Sequence, residues 1–191
     1  MIILFIFGVA LLIYGIVALV AARQIRDDRW TKLASELGAE FIRGGFLRSS
    51  KVQAHIKEWT VTLDTHSVPS GDSSDTYTRI RAPFENKDGL QFTVARKGLV
   101  SKLDKALGAK DIETGDAEFD RDFYFRGKDE SKIRALFANM RIHQLIEGQK
   151  SIRLGVKDSD LVFEAQGEIK DVERFKSLFE LFREMLTQLK G

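Results

Sequence analysis

The sequence contains no cysteine and only two prolines among its 191 residues. The absence of cysteine excludes disulfide bonds, cysteine-ligated zinc and thiol catalysis. Because proline is scarce and there is no low-complexity tract, a long linker between domains is not expected. Histidine is also scarce, and His55, His66 and His143 do not have the spacing of metal ligands. The composition therefore favours neither a cofactor nor a metal-dependent activity.

Charged residues are absent from Met1 to Ala22, although they make up 30% of the chain. A helix over this run would be roughly 33 Å long, enough to cross a hydrocarbon core of about 30 Å. We predict a transmembrane helix over residues 1–22, which makes the lipid bilayer its partner. The alternative is a cleaved signal peptide. Small residues at 20–22 would permit cleavage, but the long apolar run and the missing positive n-region disfavour it.

Basic residues crowd the C-terminal flank of this run, and the membrane flank consists of Arg23, Arg26, Arg29 and Trp30. Lysine and arginine near a span tend to stay on the cytoplasmic side. We therefore predict a single-pass protein of a bacterial inner membrane, with its C-terminal domain in the cytoplasm. An exported domain after signal cleavage is the alternative. Trp30 either anchors at the headgroup level or packs into the domain.

The remainder of the chain combines strand and helix patterns. Residues 23–38 are predicted as a juxtamembrane helix, because apolar residues recur at i, i+3, i+4 and i+7 before Gly38. Residues 39–191 are predicted as an α+β cytoplasmic domain, in which a mostly antiparallel sheet packs against C-terminal helices. A division into two subdomains, 39–108 and 118–191, is an open alternative.

Local patterns predict the individual elements. Alternating apolar residues predict strands at 76–82 and 90–96, joined across residues 86–89, and a hairpin over 151–165. The composition of Val68 to Asp75 predicts a loop. A short helix is predicted from Gly98 to Leu107, and a strand is framed by Phe119, Phe123 and Phe125. The last helix begins at Asp171, and its apolar stripe comprises Val172, Phe175, Leu178, Phe179, Phe182, Met185, Leu186 and Leu189.

Two groups of charged residues are candidates for binding. The acidic group, Asp116, Glu118, Asp120 and Asp122, has alternate carboxylates like the start of a calcium loop. The pattern then fails, because Arg121 and Gly127 occupy the positions that require glycine and glutamate. These carboxylates are therefore weak metal candidates, and a solvated edge or pairing with nearby arginines is the favoured interpretation.

The basic group comprises Arg79 and Arg81, which share a strand face with Tyr77, and Arg96, which is expected nearby. Such a face suits anionic lipid headgroups or RNA. The net charge is only +2, so composition gives nucleic acid little support. Because the anchor holds this face near the bilayer, anionic lipid is the more plausible partner.

The sequence resembles uncharacterised bacterial membrane-anchored proteins in two places: the helix Trp30 to Gly38, and the Gly-Asp-x-x-Phe-Asp-x-x-Phe segment that begins at Gly115. The resemblance implies an anchored α+β domain and no known activity.

Neither a Gly-x-Ser-x-Gly elbow nor a phosphate-binding Gly-x-x-x-x-Gly-Lys-Ser/Thr loop is present. The favoured function is a non-catalytic interaction or sensing domain at the membrane, with an unidentified protein partner. The alternative is a membrane-associated enzyme, for which Asp116, Asp120, Arg79 and Arg81 would have to converge on one pocket.

Overall fold

The computed structural model describes residues 2–45, 48–71, 73–98 and 110–190. Its helices are α1 (Ile2–Leu37), α2 (Ala117–Asp122), α3 (Glu130–Phe137), α4 (Met140–Glu147) and α5 (Val172–Lys190). Its strands are β1 (Glu40–Ile42), β2 (Lys51–Ile56), β3 (Trp59–Ser70), β4 (Ser73–Pro83), β5 (Phe92–Arg96), β6 (Lys110–Ile112), β7 (Phe123–Gly127), β8 (Arg153–Lys157) and β9 (Asp160–Gln166). These elements confirm the α+β prediction. Apart from Gly98, the helix predicted from Gly98 to Leu107 lies outside the described residues.

Within these ranges the strands form one sheet in the order β1-β2-β3-β4-β9-β8-β5-β7-β6. Every neighbouring pair is antiparallel. The hairpin β8–β9 lies between β4 and β5. Strands from residues 39–108 and from residues 118–191 are therefore interleaved in a single sheet. Strands β4 and β5, which precede and follow residues 86–89, are not neighbours in it.

One face of the sheet carries a continuous apolar row from β2 to β6. Its members are paired directly from strand to strand and are all buried: Val52, Leu63, Ile80, Phe163, Leu154, Val94, Phe125 and Ile112. Directly paired residues place their side chains on the same side of a sheet. The apolar stripes of α3, α4 and α5 bury against this face, and helix α5 confirms the predicted stripe.

The opposite face is mainly polar, and we call it the outer face. A ladder of alternating charge crosses it, in which Asp64 pairs with Arg79, Arg79 with Glu164, and Glu164 with Arg153. Opposite charges directly across strands stabilise a sheet by about 0.2–1 kcal/mol per pair. The sheet is therefore packed on one face and polar on the other, and the prediction of a mostly antiparallel sheet that packs against C-terminal helices is confirmed.

The prediction of a loop from Val68 to Asp75 was wrong. Val68 pairs with Asp75, Pro69 with Ser74 and Ser70 with Ser73, so β3 and β4 continue as a two-stranded ribbon. The ladder that joins β4 to β9 starts only at Thr78. Backbone groups form the ladder whatever the side chains are. Both faces of this ribbon are solvated, so its strands do not need apolar side chains. Its composition therefore resembles that of a loop.

The strand predicted around Phe119 was also partly wrong. Phe123 and Phe125 lie on β7, but Phe119 lies on α2. The cause is the side chain of Asp116, which accepts hydrogen bonds from the backbone N–H groups of Glu118 and Phe119 and so caps the helix. Phe119 still enters the core, where its ring packs at 5.0 Å from that of Phe123.

Candidate membrane-proximal site

Helix α1 is a single helix of 36 residues, and its two ends have opposite environments. The segment Ile6–Leu37 is long and apolar enough to cross a membrane. Its most apolar stretch is not buried against the rest of the protein. Large apolar side chains between Ile6 and Val20 are exposed. An exposed apolar surface of this kind marks a site that contacts either a membrane or another protein.

The C-terminal third of α1 belongs to the domain core. Trp30, Leu33 and Ala34 are 1%, 0% and 3% exposed, and the helix packs against β1, β2 and α5. The prediction left two places open for Trp30, and the structure buries it in the domain. Lys176 of α5 forms an ion pair with Glu36 at 2.6 Å. Glu173 and Glu36 raise the pKa of Lys176 to about 12, so this link is charged at neutral pH.

Arginines surround α1 at the level where the apolar surface ends. We call this group the arginine collar, and it comprises Arg23, Arg26, Arg29, Arg43 and Arg48. Arg23 Nη2 donates to the carbonyl oxygens of Gly44 and Gly45 at 2.6 and 2.9 Å. Arg29 forms an ion pair with Glu168, which follows β9. The collar arginines therefore link α1 to two other parts of the chain, the segment after β1 and the segment after β9.

The segment after β1 needs glycine to reach the collar. A Cβ atom on Gly44 would lie 2.0 Å from the carbonyl oxygen of Arg48, so no other residue fits there. The Gly44 N–H donates to Ser50 Oγ at 3.1 Å, which holds the turn closed. Sequence reasoning missed Arg43 and Arg48. The signal that could have revealed them is the glycine pair flanked by arginines.

A buried carboxylate lies inside the collar. Asp27 is only 2% exposed, with Arg26 Nη2 at 3.6 Å from its Oδ1 atom and Arg43 Nε at 3.8 Å from its Oδ2 atom. The guanidinium of Arg26 also lies 5.4 Å from the centre of the Trp30 ring. Sequence reasoning missed Asp27 as well, because its neighbour Asp28 has the same chemistry and is exposed.

Two open grooves flank α1 at the collar. The larger, of about 590 Å³, is lined by Leu19, Ala22, Arg23, Arg26, Arg48, Ser49 and Glu168. The smaller, of about 380 Å³, is lined by Val20, Arg23, Gln24, Asp27, Arg43, Gly44 and Gly45. Each combines the last apolar side chains of the exposed helix with guanidinium groups.

The structure does not bring the three predicted sheet arginines together. Arg79 and Arg81 lie on the outer face, and Arg79 donates to both oxygens of Asp64 at 2.9 and 2.8 Å. That hydrogen bond raises the pKa of Arg79 above its ordinary value. Arg96 lies on the core side, above the ring of Phe123, and donates to the carbonyl oxygens of Glu147 and Gln149. Only Arg81 is exposed.

The four acidic candidates have different partners. Asp116 caps α2 and lies 3.6 Å from His143 Nε2. Asp120 accepts from the backbone of Thr114 and Gly115, while Asp122 lies 3.5 Å from Arg96. Glu118 is exposed on α2. Throughout the described ranges, no group of three or more histidine or carboxylate side chains is arranged to hold a metal ion.

The sheet separates the acidic stretch from Arg79 and Arg81. Asp116 and Asp120 belong to the α2 region on the core side, whereas Arg79 and Arg81 lie on the outer face. The hypothesis of a membrane-associated enzyme requires these residues to converge on one pocket, and they do not.

The cap at Asp116 makes a prediction about pH. Hydrogen bonds from Phe119 and Glu118 lower the pKa of Asp116 below its ordinary value of 3.8. The charged carboxylate therefore contributes stability above about pH 4, and this contribution is lost as the pH falls through the lowered pKa. We expect wild type to be more stable than Asp116→Asn at pH 7, with the difference shrinking as the pH falls below 3.8 and through the lowered pKa of Asp116. Urea unfolding across this range would measure it.

Asparagine is itself a good capping residue, so Asp116→Asn removes the charge and keeps the geometry. A difference that stays constant with pH would show that the charge of Asp116 contributes nothing to stability.

One solved structure places this fold among known proteins. The chain is similar to the crystal structure of the mycobacterial trehalose monomycolate transport factor A, TtfA, with a TM-score of 0.58 and 9% sequence identity. The match covers 86% of this chain and 94% of that chain. At this identity the likeness shows a shared fold. No family model matches the chain, and no curated protein matches it in sequence.

Proposed function

We propose that the protein is a single-pass protein of a bacterial inner membrane, with a non-catalytic cytoplasmic domain that presents an interaction surface at the bilayer. The observation that carries this proposal is the continuity of α1. The same helix exposes apolar side chains at its N-terminal end and buries Trp30 and Leu33 in the domain at its C-terminal end. The domain therefore lies directly against the membrane that the helix crosses.

The charge distribution supports a cytoplasmic domain. Arg23, Arg26 and Arg29 follow the apolar segment within two turns, and the sequence before them carries no lysine or arginine. Arg43 and Arg48 add two more cations at the same level of the fold. Basic residues this close to a span favour retention of the flank that carries them on the cytoplasmic side.

The likeness to TtfA suggests a process. That protein is named as a transport factor for trehalose monomycolate. An accessory part in the transport of an acylated sugar of this kind suits a domain that is fixed at the bilayer surface. The outer face, with its mixed charges, is the surface that the domain offers to a protein partner.

Topology is the decisive test, and the lack of cysteine makes it clean. Ser74 is exposed on the ribbon formed by β3 and β4, so Ser74→Cys provides a single reporter in the domain. We expect a membrane-impermeant maleimide to label it only after lysis, because the inner membrane shields a cytoplasmic domain. The mature protein should retain residues 1–22.

A cysteine inserted after Met1 is the matched control, because it lies at the other end of the span. We expect it to be labelled in cells whose outer membrane has been permeabilised. Labelling of Ser74→Cys in those cells would place the domain outside the inner membrane. A mature chain that begins near Arg23 would show a cleaved signal peptide. Either result would overturn the proposal.

A further inference from the structure

The larger groove at the arginine collar combines two surfaces that an anionic lipid needs. Leu19 and Ala22 form its apolar wall and belong to the exposed end of the span. Arg23, Arg26 and Arg48 form its cationic wall, with Ser49 as a hydroxyl beside them. The groove therefore lies where an acyl chain would meet its headgroup.

The charge in this groove is not fully neutralised by the protein. Its one carboxylate, Glu168, is engaged by Arg29, which lies outside the groove lining. The Nε atom of Arg26 is buried without a hydrogen-bond partner in the described part of the chain. Arg48 is exposed, and no hydrogen bond or ion pair of its side chain is found among the described residues. The exposed guanidinium of Arg48 therefore has donors left for an added anion, and Arg26 adds positive charge to the same groove lining.

Phosphate is the anion that this geometry favours. A guanidinium group presents a planar fork of donors that matches two oxygens of a phosphate. Arg26 and Arg48 come from different elements, α1 and the segment before β2, so they approach the groove from separate parts of the fold.

We propose that this groove binds the phosphate of an anionic phospholipid in the leaflet next to the domain, with one acyl chain along Leu19 and Ala22. The proposal rests on the proposed membrane insertion of α1. The cytoplasmic leaflet is rich in anionic lipid, and each arginine near it contributes attraction equivalent to about fivefold in binding. The bound lipid would link the span, the turn that begins at Gly44 and Gly45, and the segment after β9.

Native mass spectrometry of the full chain in detergent tests the lipid site. Phosphatidylglycerol and phosphatidylcholine with identical acyl chains would be added separately, and bound lipids counted. We expect wild type to bind phosphatidylglycerol more tightly than phosphatidylcholine. Arg48→Gln should weaken phosphatidylglycerol binding about fivefold and phosphatidylcholine binding less, because the choline cation offsets the charge of the phosphate that both lipids carry. The Arg48 side chain has no hydrogen bond or ion pair within the described ranges, so this variant is expected to fold, and its thermal midpoint should match wild type.

Arg81→Gln is the matched control, since it removes the same charge from an exposed site on the outer face. It should bind both lipids as wild type does. Equal binding of the two lipids by wild type would overturn the proposal. A loss that follows Arg81→Gln instead of Arg48→Gln would also overturn it, because the anionic contact would then lie on the sheet.

The failure of this inference and the failure of the proposed function are distinguishable. A protein that retains residues 1–22 and resists alkaline extraction from membranes, but shows no lipid preference, lacks the headgroup site and keeps its anchor. A protein that alkaline extraction releases is not anchored, and both proposals then fall.

Discussion

Replacing Trp30 with alanine is expected to lower the free energy of unfolding of the domain by about 3–5 kcal/mol. Trp30 is 1% exposed and packs within the core that α1 shares with β2 and α5. The loss combines the apolar area of the indole with the cavity that it leaves. In a domain of this size, the midpoint of thermal unfolding should fall by about 6–20 °C. Circular dichroism of the full chain in detergent would measure it.

Ile25→Ala is the matched control on the same helix, because Ile25 is 58% exposed. We expect its midpoint to stay close to that of wild type, since exposed substitutions usually change stability by less than about 0.5 kcal/mol. If Trp30→Ala melts at the wild-type temperature, Trp30 lies at the headgroup level and the end of α1 is not part of the core.

Two truncated chains should behave in opposite ways. A chain that begins at Arg23 keeps Trp30, Leu33 and Ala34 and is expected to fold as a soluble domain. A chain that begins at Ala39 loses all three buried side chains. The tryptophan and leucine alone contribute about 5–10 kcal/mol, which is comparable to the whole stability of a typical domain, about 5–15 kcal/mol. We therefore expect the shorter chain to be unfolded or aggregated.

Near-ultraviolet circular dichroism and gel filtration would compare the two chains. Trp59 is present in both, so loss of its signal in the shorter chain would report lost packing. A folded chain from Ala39 would contradict the prediction and show that the end of α1 only rests on a complete domain. Aggregation of both chains would show that the core also depends on the span.

The sequence was sufficient wherever a pattern is repeated along one element. The uncharged run before Arg23 predicted a helix that could span a membrane, and the stripe from Val172 to Leu189 predicted α5. Alternation over residues 151–165 predicted a hairpin, and β8 pairs with β9 there. In each case, whether a residue is buried follows from its place in a hydrophobic repeat. That repeat can be recognised from the neighbouring residues of the same element.

The sequence was not sufficient where contacts join distant residues. The insertion of β8 and β9 between β4 and β5 depends on which edges are free after earlier strands have paired, and no local pattern encodes it. For the same reason Arg96 was expected near Arg79, although the sheet separates them. Asp27 gave no signal, because its burial comes from the way the segment after β1 folds against α1.

The continuity of α1 has a mechanical consequence. The helix contains no proline and spans 36 residues, so it is about 54 Å long and has no hinge between bilayer and core. A membrane span adjusts its tilt to the thickness of the hydrocarbon layer. Because the core grips the far end of the same rod, any change of tilt swings the outer face relative to the membrane plane. Under the proposed membrane insertion, bilayer thickness thus sets the angle between the outer face and the membrane.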